Sequence, residues 1–300
     1  MVENNHGHML TSISNDFLTV TIDTLGAQIM SIVSNKDGTE YLWQGDERYW
    51  GERAPVLFPF VARLTDDSYK CGTETYKMGI HGFAKKMWFS PAFKDKSIIV
   101  LDLHSNEATK KVYPFDFTLE IRYSLRGNQL VVNYKVENEG GDIMSFGIGG
   151  HPGFNVPLFE GEKFEDYILE FKEPCQPDRV GFTPSLYLNG CDKPYTLRED
   201  RYIDLEHSLF DEDAVVLKNS SKEVKLANKN TGKGVEVSFP NMPYVGFWHR
   251  PKTDAPYVCI EPWSSLPARQ DIVENINCKS DFVRLAPGKI YENTWTIKIL

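Results

Sequence analysis

The chain has 300 residues and a mass of 34.3 kDa, long enough to bury a large core without disulfide or metal staples. Hydrophobic residues make up 41% and charged residues 25%, with 22 glycines and 17 prolines, a composition that excludes collagenous and disordered classes. The net charge of −9 (33 basic against 42 acidic residues) argues against binding to duplex DNA or an anionic membrane, since both need a basic field.

Met1 to His8 is polar and reads as a tag remnant or a disordered tail, with a native start at Met9. Residues 9–300 are expected to form one domain. No basic and then apolar leader precedes them. Alternating apolar and polar residues follow from Phe17 to Ile22 and from Gln28 to Val33. The longest apolar run, Ala54 to Ala62, is far short of the roughly 20 residues that span a bilayer. Alternation resumes at Ser97 to His104, Phe117 to Leu125 and Gln129 to Val136, and Arg126-Gly127-Asn128 predicts a hairpin between the last two. Further strands are predicted at Ile143 to Ile148, Tyr167 to Phe171, Ala214 to Lys218, Glu223 to Leu226 and Gly234 to Phe239. Tyr244 to His249, Tyr257 to Glu261 and Thr294 to Leu300 complete the set.

The Pro-, Asp- and Gly-rich stretch from Glu173 to Arg201 reads as a long loop anchored by Phe182, Tyr187 and Tyr195. No convincing helical stripe and no strand–helix alternation occurs. The expected fold is all-β, a large antiparallel β-sandwich. Five cysteines without a Cys-x-x-Cys pair fit reduced thiols in a cytoplasm.

Four segments set polar groups among aromatic residues, Gly and Pro. Glu261 follows the apolar Tyr257-Val258-Cys259-Ile260, and Pro262 is expected to end that strand. A carboxylate there, beside Trp263, would be partly desolvated and usable as a base; a salt-bridged or capping glutamate is the plainer alternative. His151 lies within Gly149-Gly150-His-Pro-Gly, where it suits proton transfer or, as plainly, a turn bonded to backbone. His81, beside Gly82, has the same two readings. Arg63 ends the apolar run and is either a structural ion-pair partner or a fork of donors for ligand hydroxyls. Trp43, Trp50, Trp248 and Trp263 offer sugar-stacking faces or core packing. Gly-x-Ser-x-Gly, His-Glu-x-x-His and Gly-x-Gly-x-x-Gly signatures are absent. Zinc on His81, His151, His249 and Glu261 finds no support in their spacing, so no metal site is predicted.

In order along the chain, an arginine after a Phe-Pro-rich run, His-Gly-Phe, Gly-His-Pro-Gly-Phe-Asn, an Asp-containing stretch and Ile-Glu-Pro together resemble the aldose 1-epimerase (galactose mutarotase) family. The similarity runs from about Leu10 to the C-terminus. It implies a β-supersandwich with a sugar cleft, an isomerase that needs no cofactor, and a small-molecule sugar partner. By that resemblance Glu261 is the general base and His151 the general acid, while Arg63 and His81 orient substrate. Asn155 closes the histidine motif. The sugar-binding aspartate falls at Asp211 or Asp213, with Asp213 preferred because an apolar strand starts directly after it. Trp248 and Trp263 would contact the sugar. Ala62 stands where the family's galactose enzymes carry asparagine, and Gly150 replaces the asparagine before the histidine. Lys85, after His-Gly-Phe-Ala, occupies the place of an arginine in the sugar-phosphate branch. The implied activity is anomer interconversion of a hexose. A hexose 6-phosphate epimerase and a non-catalytic carbohydrate-binding module are the alternatives.

Overall fold

Alternating burial builds most of this molecule. In Phe117–Arg126 every second side chain up to Tyr123 is buried, and these residues face the core in register with Gln129–Asn138. Gly127, at φ 59, supplies the left-handed turn conformation between the two strands. The structure, a computed structural model, describes residues 9–300, so the reading of residues 1–8 lies outside the described residues.

Among the described residues the largest sheet has nine strands, and every pairing in it is antiparallel. Its centre is made of Ile290–Ile299, Gln129–Asn138 and Phe117–Arg126. Ile98–His104 and Ser90–Lys94 extend it on one side. Gly234–Ser238, Glu223–Asn228, Tyr167–Phe171 and Tyr202–Asp204 extend it on the other. An eight-stranded sheet places Val215–Lys218, Tyr244–Trp248 and Tyr257–Trp263 side by side. Beyond them lie Gly149–Gly150 and Val56–Leu57, while Gly153–Asn155 pairs separately with Tyr257–Trp263. The fold is therefore all-β and antiparallel, and its described α-helix is the four-residue turn Glu107–Lys110. No described helix is long and apolar enough to cross a membrane.

The core gathers aromatic side chains from several elements. Phe58 packs against Phe117 with ring centroids 5.3 Å apart and against Phe146 at 5.5 Å. Trp295 of the large sheet lies against Gly150 of the smaller one, where a Cβ would come within 2.6 Å of the indole. The long loop from Glu173 to Arg201 is tied down by the two-residue strands Asp178–Arg179 and Lys193–Pro194. Phe182, Tyr187 and Tyr195 pack against the core clusters as expected.

One expectation needs correction. The strand does not end at Glu261 but continues through Pro262 to Trp263. The N–H groups of Ile260 and Ser264 both donate toward one flank, to Pro152 O at 3.2 Å and Ile148 O at 2.9 Å. By period two, Pro262 presents its missing N–H to that same flank. There the adjoining strand is broken between Gly150 and Gly153, so the proline leaves no regular ladder partner unpaired.

Candidate active site

The same break and the same alternation assemble a site. Along Tyr257–Trp263, Val258 and Ile260 point into the main core, so Tyr257, Cys259, Glu261 and Trp263 share the opposite face. Tyr257 and Cys259 pack there with Trp43, Trp50 and Trp248. Glu261 follows them on the same face and is 1% exposed. On the neighbouring strand, His151 occupies the gap between Gly149–Gly150 and Gly153–Asn155, and its Nε2 reaches to 3.2 Å from Glu261 Oε2. The approach lacks hydrogen-bond alignment and leaves Glu261 Oε2 without a hydrogen-bond partner among the described residues; His151 Nδ1, the other ring nitrogen, has none either. Two buried polar groups left in this state are costly to stability, which is a reason to look for function.

Both face a cavity of about 220 Å³. Trp50 lies over the His151 ring with centroids 4.8 Å apart, and Trp248 meets it edge-on at 5.6 Å. His81 stands edge-on at 5.4 Å. Its Nδ1 accepts the Ala62 N–H at 3.1 Å, which places the proton on Nε2 and makes that edge the donor. The contact depends on two left-handed residues, Ala62 at φ 57 and His81 at φ 65, and on Gly82, whose Cβ would lie 2.2 Å from Phe58 O. Lys85 extends its ammonium group to Glu52, also on the wall, at 2.9 Å. Arg63 touches the Ser185 carbonyl at 3.5 Å and has no carboxylate partner among the described residues. Asp213, at φ 73, accepts the N–H of Ala214 at 2.8 Å and lines the same space.

The electrostatics follow from burial. Desolvation pushes the Glu261 carboxyl well above the usual range, the Asp213 charge adds to this, and the nearby Trp263 indole N–H partly offsets it. Desolvation also lowers His151 to about 3; a backbone contact opposes the shift and the charge of Lys85 reinforces it. His81 is held well below its ordinary value by burial first, then by His151, Lys85 and Arg63. The two shifts run in opposite directions, and both favour the uncharged forms, a carboxylic acid on Glu261 and a neutral imidazole on His151. A neutral carboxylic acid beside a neutral imidazole has the same proton count as a carboxylate beside an imidazolium, so either arrangement can give one proton and take another.

The aldose 1-epimerase family model matches residues 9–295. The chain belongs to the aldose 1-epimerase family. The chromosomal LacX protein of Lactococcus lactis subsp. lactis is 33% identical over 301 residues, covering 97% of this chain and 100% of that protein. The crystal structure of a galactose mutarotase related enzyme from Lactobacillus acidophilus superimposes with a TM-score of 0.93 at 34% identity, covering 97% of each chain. A galactose mutarotase-like protein from Lactobacillus casei gives a TM-score of 0.91 at 30% identity, covering 97% of this chain and 100% of that one.

Within this aldose epimerase fold, Glu261, His151, Arg63, His81, Lys85, Asp213, Trp248 and Trp263 all line the one cavity. Asp211 does not. It lies in an adjoining groove that shares Phe182, Leu186 and Asp213 with the cavity wall. Asn155 is also elsewhere, donating to the carbonyls of Glu40 and Leu42 at 3.0 Å each, which fastens the Gly153–Asn155 strand. His249 is fully buried outside the cavity, 3.1 Å from His207 and donating to Arg250 O at 2.8 Å, so the four-residue zinc grouping is not assembled. Sequence reasoning missed Glu52, because nothing local reveals a partner for Lys85 across 33 residues. It also overlooked Cys259, which the alternation with Glu261 could have placed on the same face.

Proposed function

We propose that this member of the family interconverts the α and β anomers of a free aldohexose. One group of the Glu261–His151 pair takes the proton of the C1 hydroxyl and the other protonates the ring oxygen. The C1–O5 bond breaks and C1 becomes the aldehyde carbon. Rotation about C1–C2 exposes its other face. Closure returns the ring-oxygen proton to the pair while the new C1 oxygen regains one. The proton count of the pair is unchanged over a cycle, and no oxidation occurs.

The observation that carries this reading is the 3.2 Å approach of two buried, oppositely perturbed groups on the cavity wall. A pure binding site has no use for two buried groups without hydrogen bonds. Trp50 and Trp248 supply apolar faces for the C–H side of a sugar ring, while His81 Nε2 and Arg63 supply donors for hydroxyls. The ion pair between Lys85 and Glu52 favours an uncharged sugar over a phosphorylated one, because the lysine charge is already neutralised.

The test is the optical rotation of freshly dissolved α-glucose and α-galactose with and without protein. The expected result is faster relaxation to the equilibrium rotation, abolished in Glu261→Gln. Acceleration restricted to glucose 6-phosphate would move the substrate to the phosphorylated class. Saturable sugar binding without any acceleration would replace the enzyme by a carbohydrate-binding module.

A further inference from the structure

Cys259 takes no part in the proton transfer described above, yet it sits against it. A nitrogen of His151, the Cys259 sulfur and a carboxylate oxygen of Glu261 all lie within 4.8 Å of one another, and all three residues are buried. Cys259 and Glu261 are two positions apart on one strand and therefore project from the same face, and His151 reaches them from the break in the neighbouring strand. Independently of the cysteine, Glu261 Oε2 is buried and lacks a hydrogen-bond partner among the described residues, its side chain being 2% exposed.

We infer that His151, Cys259 and Glu261 form a binding site for a thiophilic divalent ion, zinc above all, and that its occupancy switches the enzyme off. Ligands at about 2.0–2.2 Å in tetrahedral array stand a little over 3 Å apart. The 3.2 Å between His151 Nε2 and Glu261 Oε2 already matches such an edge. The sulfur lies farther out, within the 4.8 Å that encloses the three ligand atoms, and must move in on binding. One nitrogen, one sulfur and one oxygen suit zinc or cobalt and are poor for magnesium or calcium, which require oxygen ligands in greater number. His151 and Glu261 line the cavity while Cys259 lies behind them, so the ion enters from the cavity side, where water completes its shell.

Zinc binds a thiolate and an unprotonated carboxylate, so binding expels whatever protons the Cys259 sulfur and the Glu261 carboxyl carry, and affinity rises with pH. The inhibitory consequence rests on the proposed roles of His151 and Glu261: an ion held by both removes the shared proton and occupies the lone pairs that transfer it. Binding of the ion does not depend on those roles.

The experiment uses the full chain after chelator treatment. Cobalt(II) is added while the thiolate-to-cobalt absorption is followed, and mutarotation is measured in parallel with zinc or magnesium. A charge-transfer band is expected, with apparent cobalt affinity at least about tenfold weaker in Cys259→Ser. Zinc should slow mutarotation by at least about tenfold as ligand lone pairs are captured, with a chelator restoring the rate and magnesium having no effect. The absence of a band in the unmodified chain overturns the site, as does a band unchanged in Cys259→Ser, which would come from the other thiols. If the serine variant does not fold, Cys259→Ala makes the same comparison, and the unmodified chain still decides whether a band exists. A Cys259-dependent band without loss of rate would keep the metal site and reject the acid–base roles.

Discussion

The two large sheets of this protein are built to different standards. The centre of the nine-stranded sheet consists of three ten-residue strands paired in unbroken register from Gln129 to Glu137 and beyond. The eight-stranded sheet is assembled from strands of two to seven residues, carries a proline in its central strand and is broken at His151–Pro152. Regular pairing satisfies backbone groups and directs every second side chain inward, which stabilises but leaves no polar group free for chemistry. The break costs ladder bonds and delivers a histidine to a buried glutamate. The regular sheet supports the irregular one directly, because Trp295 fills the space beneath Gly150. Irregularity at the site is tolerated where the rest of the fold is consistent.

The largest expected effect comes from removing the carboxyl proposed to react. Glu261→Gln should lower the mutarotation rate by about 10²–10⁴-fold, the usual range for a general acid or base. The same substitution should stabilise the fold, and the sign can be worked out. The native carboxyl keeps its proton well above the value at which the unfolded chain releases it. As pH rises above the ordinary carboxylate range, the unfolded state gains free energy from ionisation that the native state does not share, so the glutamate destabilises increasingly. Thermal melts of both proteins from acid to alkaline pH should diverge, the glutamine form melting higher at neutral and alkaline pH. Equal melting temperatures throughout would show that Glu261 is not perturbed and would remove the contrast between the two sheets. For the unmodified enzyme, kcat/KM should hold on the acid side down toward the His151 value of about 3, as far as the fold survives. It should fall on the alkaline side when the pair loses its single proton.

The contact between the sheets offers a second test. Gly150→Ala inserts a methyl group 2.6 Å from the Trp295 ring, and Trp295 is 2% exposed with little room to retreat. Overpacking of this kind costs about 1–3 kcal/mol, measurable by denaturant unfolding, and should also displace the adjoining His151 and slow turnover. An alanine variant with unchanged stability would mean that the two sheets are not closely fitted at this point. The substitution bears on the departure from the family pattern at this position, since an asparagine here would meet the same indole.

How much of this was legible in the sequence depended on which interactions were local. The long strands announced themselves because period two recurs over seven to ten residues, as in Ile98–His104 and Gln129–Asn138. Val56–Leu57 is defined by its pairing with Gly149–Gly150, which in turn pairs with Trp263, and two residues carry no period. The groups proposed to react, Glu261 and His151, stood out in the sequence as chemistry beside Gly and Pro, and the family resemblance ordered them. Asn155 was not separable from them, since a motif does not say which member binds a ligand and which binds backbone. Asn155→Ala checks that distinction: it should cost about 1 kcal/mol in stability by removing a donor from the Glu40 carbonyl and one of the two side-chain donors from the Leu42 carbonyl, with KM unchanged. A raised KM at unchanged stability would return Asn155 to the binding site.

The smallest and most discriminating contrast lies within one loop. Asp211 and Asp213 are two residues apart, yet Asp213 lines the cavity and Asp211 only the adjoining groove. The difference comes from the backbone: Asp213 adopts φ 73 and turns from the Phe210 carbonyl, which accepts its N–H at 2.9 Å, toward Val215–Lys218. Its charge is one of the causes that push Glu261 upward. Asp213→Asn should therefore raise KM through the lost hydroxyl acceptor and move the alkaline limb of kcat/KM toward lower pH, because Glu261 then releases its proton earlier. Asp211→Asn should leave both quantities unchanged and alter stability by no more than about 0.5 kcal/mol, as expected for an exposed residue whose side chain makes no hydrogen bond or ion pair among the described residues. The pH profiles of the two variants separate binding position from mere acidity. If Asp211→Asn moved the limb and Asp213→Asn did not, the sugar would have to enter through the groove rather than through the tryptophan-lined cavity.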